Sequence, residues 1–169
     1  NGNPINQKDV IKSFQAVQDN FENESISYFD FITLAAFHHF SSLKLNFLIL
    51  EVGLGGRLDP VNIVEPDISI LTNIELDHTK ILGSSRLEIA KEKSAILRKD
   101  NISMLGEVDI NQKILKVLKS VNTNLKEAGK DFYIKDNKTD GTWDFVLHSK
   151  KKKKEITGIK YNNLLPENA

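Results

Sequence analysis

Apolar residues recur along the chain with two different periods, and those periods predict its elements. Val10, Ile11, Phe14, Val17 and Phe21 stand three or four positions apart, an amphipathic helix over 6–21 with Asn6 as its N-cap. Residues 20–27 are polar and read as a loop. Residues 28–40 are apolar nearly all round (Phe29, Phe31, Ile32, Leu34, Ala35, Ala36, Phe37, Phe40), as in a helix buried against a sheet. Leu45, Phe47, Leu48, Ile49 and Leu50 then form a short apolar run, expected of a strand covered on both faces of a parallel sheet. It breaks at a lone carboxylate, Glu51, followed by Gly53, Gly55 and Gly56, and this stretch is the one around which the rest is organised.

A second strand is predicted over 68–72, rich in β-branched residues, ending in the polar cluster Asn73-Ile-Glu-Leu-Asp77-His78-Thr79. A helix follows over 86–97, a short strand over 102–105, and an amphipathic helix over 110–127 that Gly129 stops. Strands alternating with helices imply a parallel sheet with right-handed crossovers. From residue 130 the pattern changes to short strands (132–134, 143–147, 156–159) joined by polar turns, one of them at 137–141. This reads as a small antiparallel meander near the C-terminus. Residues 164–169 read as the start of a helix. No internal repeat or low-complexity linker interrupts the chain.

Composition narrows the function classes. The 169 residues suffice for one domain with a core, and 23 basic residues balance 23 acidic ones. No overall field points to nucleic acid or a membrane surface. The five lysines at 150–154 read as a solvated hairpin tip rather than a nucleic-acid patch, because no aromatics interleave with them. The absence of Cys excludes a disulfide framework and thiolate chemistry and is compatible with a cytosolic enzyme. No apolar run approaches the roughly 20 residues of a membrane span. A chain that begins at Asn1 without Met or signal-like segment is expected to be a fragment.

Candidate chemistry gathers at strand ends, where open α/β sheets bind ligands. If the first two strands lie side by side, Glu51 and His78 open onto one edge, with Asp77 beside them and Lys93 on the helix that follows. A carboxylate delivered into a glycine-rich turn suits a phosphate or metal site; the alternative is a tight β–α turn whose carboxylate caps the next segment. Oxygen-rich edges suit Mg²⁺ with nucleotide phosphates, while an imidazole ligand is more natural for Zn²⁺, and the residue types leave both open. His38 and His39, amid hydrophobes near a helix end, read as partly buried or terminal imidazoles rather than ligands.

The motifs Glu51-Val-Gly-Leu-Gly-Gly-Arg-Leu-Asp59 with Asn62, P-D-I-S-I-L-T-N-I-E-L-D-H-T-K-I-L-G from Pro66, and I-A-K-E-K-S-A-I from Ile89 resemble the folylpolyglutamate synthase/dihydrofolate synthase family. This family belongs to the Mur-ligase superfamily of ATP-dependent amide ligases. The resemblance extends over nearly the whole chain, with the glycine loop as its most specific part. It implies a three-layer α/β domain of P-loop type, with a mostly parallel sheet and the appended meander. It implies Glu51 and His78 as magnesium ligands, and Lys93 as a carbamoylated lysine whose added carboxylate helps hold a second magnesium. Ser27, Tyr28, Phe29 and Asp30, together with Leu58, Asp59 and Pro60, match segments that contact the pterin-bearing substrate; Asn168 matches an asparagine that contacts ATP. The implied cofactors are ATP and Mg²⁺. The implied partners are small molecules (pteroate or folate, L-glutamate and ATP), with no nucleic acid and no membrane, in a monomeric cytoplasmic enzyme.

By the family's mechanism, the substrate carboxylate takes the γ-phosphoryl group of ATP, and the amine of glutamate then displaces phosphate. Ser27 and Asp30 stand where Thr and Glu are usual, Pro60 and Val61 where Ala and Thr are usual, and Ser94-Ala95 replaces Ala-Gly. No G-x-x-x-x-G-K-[ST] or G-T-x-G-K-G-[ST] loop occurs in the 169 residues. The resemblance therefore leads us to expect 1–169 to be part of a central ATPase domain, its phosphate loop upstream and its C-terminal domain downstream. Two rival readings are another Mur-type ligase, whose serine-rich stretch after the strand-end Glu is absent, and a truncated non-catalytic nucleotide- or pterin-binding module.

Overall fold

The computed structural model of the chain describes residues 4–21, 25–137, 141–149 and 152–160. These divide into two compact units, one of the described residues up to 53 with 58–63, the other of 54–57 with the described residues from 64 to 160.

The first unit is helical. α1 (Gln7–Gln18) starts where expected, with the Asn6 side chain accepting from the Asp9 N–H at 3.0 Å. α2 (Tyr28–Ser41) is capped in the same way by Ser27. The two helices pack on each other through Phe14 and Phe31, whose rings meet edge-on at 5.3 Å. Against expectation, only Thr33 and Ala35 of α2 are buried, and its other apolar side chains are half-buried or exposed. An all-round apolar helix needs cover on every side, and α1 covers one.

The predicted strand at 45–50 is also corrected. The segment joins no ladder among the described residues, and Phe47 and Ile49 are 87% and 92% exposed. Its composition suits a buried strand, but a strand exists only when a neighbour supplies partners for its peptide groups. A 3₁₀ turn (Pro60–Ile63) closes the unit.

The second unit carries both sheets. β1 (Ile68–Leu71), β2 (Ile102–Leu105) and β3 (Lys126–Glu127) form a parallel sheet in the order β1-β2-β3. β1 is followed by the single turn α3 (Thr79–Leu82) and by α4 (Arg86–Ser94), and β2 is followed by α5 (Gln112–Val121). α4 opens with a reciprocal capping box between Ser85 and Glu88. The Ser85 hydroxyl, then the Ser85 and Ser84 N–H groups, hold the Glu88 carboxyl below its ordinary value.

Side chains alternate along β1 and β2. Leu71 and Leu105 point into a core with Ile74, Ile89, Ala90, Ile114 and Leu118, while Ile68, Ile70 and Ile102 face outward and are exposed.

The helix predicted over 110–127 ends early, at Val121. Asn122 follows, fully buried, with its Nδ2 donating to the Arg98 and Asn101 carbonyls and to Ser103 Oγ. That network turns the chain back into β3, a strand the periodicity hid, and Gly129, in the left-handed region, follows the strand rather than capping the helix.

The meander is as expected: β4 (Phe132–Asn137), β5 (Thr142–Ser149) and β6 (Lys152–Lys160) pair antiparallel in sequence order. Lys152, Lys153 and Lys154 lie within β6 rather than at a tip, whereas Lys150 and Lys151 fall outside the described residues. The fold is thus mixed α/β, a parallel sheet followed by an antiparallel one.

Candidate functional site

In the first unit, the N-terminus of α2 presents Ser27 and Asp30 as a linked pair. The Ser27 hydroxyl donates to Asp30 Oδ2 at 2.6 Å and accepts from the Asp30 N–H at 3.1 Å. Tyr28 beside them is 80% exposed. Phe29 reaches the glycine turn, where a methyl group on Gly53 would stand 2.9 Å from its Cζ. Asp59 is buried, and both its carboxylate oxygens accept from backbone: Oδ2 from the Gly53 N–H at 2.9 Å and Oδ1 from the Val61 N–H at 3.0 Å. It ties the glycine turn to the 3₁₀ turn that Pro60 begins. Leu58, just before it, is 79% exposed. Glu51 is exposed, and its carboxylate accepts no hydrogen bond among the described residues.

In the second unit, the chain leaves β1 through Asn73, Ile74, Glu75, Leu76, Asp77 and His78. His78 takes a left-handed conformation (φ 49°), which costs a non-glycine residue about 1–2 kcal/mol and turns the chain into α3. Its N–H donates to Asp77 Oδ1 at 2.7 Å, and its Nε2 lies 3.5 Å from Asp77 Oδ2. Lys93, in the last turn of α4, is half-buried and donates from Nζ to the Asn73 carbonyl at 3.3 Å. It forms no ion pair among the described residues. The structure thus brings Lys93 to the loop that carries His78.

The end of the glycine loop grips the same turn of α4. Arg57 Nε donates to both Glu92 oxygens at 3.0 and 3.2 Å, and a methyl group on Gly56 would stand 2.9 Å from Ile96 Cγ2 and 3.1 Å from the Glu92 carbonyl. Gly56 therefore allows close approach of a neighbouring helix. Asn168 lies outside the described residues.

These features coincide with a known domain. The Mur ligase middle-domain model matches residues 6–164. The chain belongs to the Mur ligase middle-domain family. It is 43% identical over 146 residues to a dihydrofolate synthase/folylpolyglutamate synthase of Buchnera aphidicola subsp. Schizaphis graminum, a match covering 86% of this chain and 35% of that protein. Among solved structures it is similar to E. coli FolC in complex with DHPP and ADP (TM-score 0.85, 30% identity, 99% of this chain and 39% of that one). It is equally similar to the bifunctional folylpolyglutamate synthase/dihydrofolate synthase of Yersinia pestis complexed with AMPPNP and Mn ion (TM-score 0.84, 32% identity, 99% and 39%). The chain spans about a third of the length of the relatives it matches.

Within this Mur ligase domain, three contributors escape a motif-based reading. Arg57 stands in the glycine motif with no role that the resemblance implies, yet it anchors Glu92, the neighbour of Lys93. Arg86 and Glu107 fix the loop between β1 and His78. The available signal for Glu107 was its position two residues past a predicted strand, the same kind of strand end that singled out Glu51.

Among the described residues no three His, Asp or Glu side chains converge into a ready-made metal cage. Magnesium with a nucleotide does not require one, since it commonly takes one or two protein groups plus phosphates and water. The exposed carboxylate of Glu51, which accepts no hydrogen bond among the described residues, fits that donor chemistry, whereas the half-exposed imidazole of His78 is a donor type more usual for zinc.

Proposed function

We propose that the parent protein is an ATP-dependent ligase that joins L-glutamate to dihydropteroate, to a folate, or to both, through an acyl phosphate. The observation that carries this reading is the similarity, over most of the chain, to proteins described as dihydrofolate synthase/folylpolyglutamate synthase, one of them solved with ADP and another with AMPPNP and Mn. The glycine loop ending in Arg57, Leu58 and Asp59 supports the folate branch over cell-wall ligases. On this reading, 1–169 is part of the central ATPase domain of a cytoplasmic, monomeric enzyme.

The residues take the following roles in the proposal. Glu51 and His78 ligate magnesium, which when bound supplies positive charge that offsets the negative charge of the phosphates. Lys93 carries a carbamate, formed when its amine loses a proton and attacks CO₂; its Nζ donates to the Asn73 carbonyl and pairs with no carboxylate among the described residues. Ser27, Tyr28, Phe29 and Asp30 with Leu58 and Pro60 contact the pterin-bearing substrate, offering one exposed aromatic, one exposed aliphatic and a hydroxyl–carboxylate pair. Asp59 shapes that surface, since its oxygens are engaged by backbone N–H groups. Asn168 contacts ATP.

The test is glutamate-dependent release of ADP by the full-length protein, with dihydropteroate and with tetrahydrofolate as acceptors. Turnover with at least one acceptor is expected. No glutamate-dependent turnover with either would overturn the reading.

A further inference from the structure

We propose that Arg86 and Glu107 are positioning residues, which grip the backbone of Ile74 from both sides and thereby set how the strand-end loop presents the Asn73 carbonyl and His78. The proposal rests on the reading of His78 and Lys93 as site residues given above.

The chain leaves the β1 ladder after Leu71, so the following peptide groups must find partners elsewhere or bear the cost of burial without them. Ile74 is fully buried, and its N–H and C=O are both engaged by side chains. Glu107 Oε2 accepts from the Ile74 N–H at 2.9 Å, and Arg86 Nε donates to the Ile74 carbonyl at 2.6 Å. Arg86 Nη2 donates to Glu107 Oε1, closing a ring of three hydrogen bonds around one residue. Arg86 is the first residue of α4 and Glu107 stands two past β2, so three elements meet at this peptide.

Two consequences follow along the chain. The carbonyl just before Ile74, that of Asn73, is the acceptor for Lys93 Nζ. Four residues after Ile74, His78 adopts its left-handed conformation. With the Ile74 side chain anchored in the core and its peptide groups clamped, the exposed loop of Glu75, Leu76 and Asp77 starts from a fixed residue and direction.

The choice of residues favours orientation over bulk stability. An ion pair whose partners stay partly exposed, as Arg86 and Glu107 do, adds little net stability, whereas a guanidinium fork fixes two acceptors in one plane. Lysine cannot reproduce that fork. Groups that hydrogen-bond a metal ligand directly commonly change metal affinity by about 10- to 100-fold when altered, and Arg86 and Glu107, which act through the backbone of Ile74, are expected near the lower end of that range.

The experiment uses the full-length protein and measures Mn²⁺ affinity by electron paramagnetic resonance with a non-hydrolysable ATP analogue, alongside the thermal midpoint without metal. The variants are Arg86→Lys, Glu107→Gln and His78→Ala, with Lys119→Met as a control that breaks the α5–β3 ion pair to Glu127. Arg86→Lys and Glu107→Gln are expected to weaken Mn²⁺ binding about 10-fold per folded molecule, and Lys119→Met to lower the midpoint without changing affinity. The near-isosteric Glu107→Gln decides the matter if Arg86→Lys does not fold. The proposal is overturned if these variants lose only thermal stability, or if Lys119→Met weakens binding as much as they do. Wild-type affinity in His78→Ala would remove the metal reading and this proposal with it. Weak binding in His78→Ala beside wild-type binding in Arg86→Lys and Glu107→Gln would remove this proposal alone.

Discussion

Both carboxylate oxygens of Asp59 are taken by backbone N–H groups, those of Gly53 and Val61. Replacing it with Ala leaves two donors without their acceptor beneath a buried site, and a donor orphaned in this way costs about 1–3 kcal/mol. Because Gly53 and Val61 are not themselves buried and water can take part of the load, Asp59→Ala is expected to destabilise the chain by about 1–3 kcal/mol in all in urea unfolding, before any effect on substrate is considered. His78 leads to the opposite expectation. Glycine avoids the roughly 1–2 kcal/mol cost of this left-handed backbone but loses about 0.5–1 kcal/mol more conformational entropy on folding, so His78→Gly should stabilise the chain by at most about 1 kcal/mol while removing the imidazole. A gain in stability together with lost Mn²⁺ affinity in the full-length protein would mark His78 as a strained functional residue. A loss of stability would show that its side chain serves the fold instead.

At the scale of single elements, the longer helices were legible from their apolar patterns, whereas the single turn α3, which has no side-chain cap, was not. Asn6, Ser27 and Ser85 cap α1, α2 and α4 with side-chain oxygens, and such caps are local. β3 was not legible, because two residues hold no period and the strand exists only through its pairing with β2.

The meander offers a test of its own. In β5, Asp144 is buried at a ladder irregularity and accepts from the Gly158 N–H at 2.9 Å and from Asn137 Nδ2 at 2.8 Å. The Gly158 N–H, opposed by burial and assisted by Asn137 and Lys135, holds its carboxyl below the ordinary value. A carboxyl with a lowered folded pKa contributes stability that is complete above its unfolded value, about 3.9. That contribution is lost as pH falls through the folded value. The meander is thus expected to loosen below pH about 4. Trp143, the chain's one tryptophan, is buried next to Asp144, so its fluorescence follows that transition. Asp144→Asn should flatten the acid-side change; an unaltered pH profile would place the acid sensitivity elsewhere.

For the molecule as a whole, the 169 residues include no phosphate loop of either familiar pattern and span about a third of the relatives' length. Positioning of the phosphates supplies much of the rate in phosphoryl transfer. The isolated chain is expected to form no product from ATP, glutamate and either folate acceptor, and product formation by the purified chain would refute this.

The main helices, the Asn6 cap, the parallel-then-antiparallel sequence of sheets and the family motifs were readable from the residues, because periodicity, capping and turn chemistry act between positions close in the chain. Tertiary structure alone decided that the apolar run at 45–50 stays unpaired among the described residues, that Asn122 turns α5 into β3, and that Arg86 and Glu107 close around Ile74. Each of those outcomes depends on which peptide group finds a partner tens of residues away, and no local pattern encodes that choice.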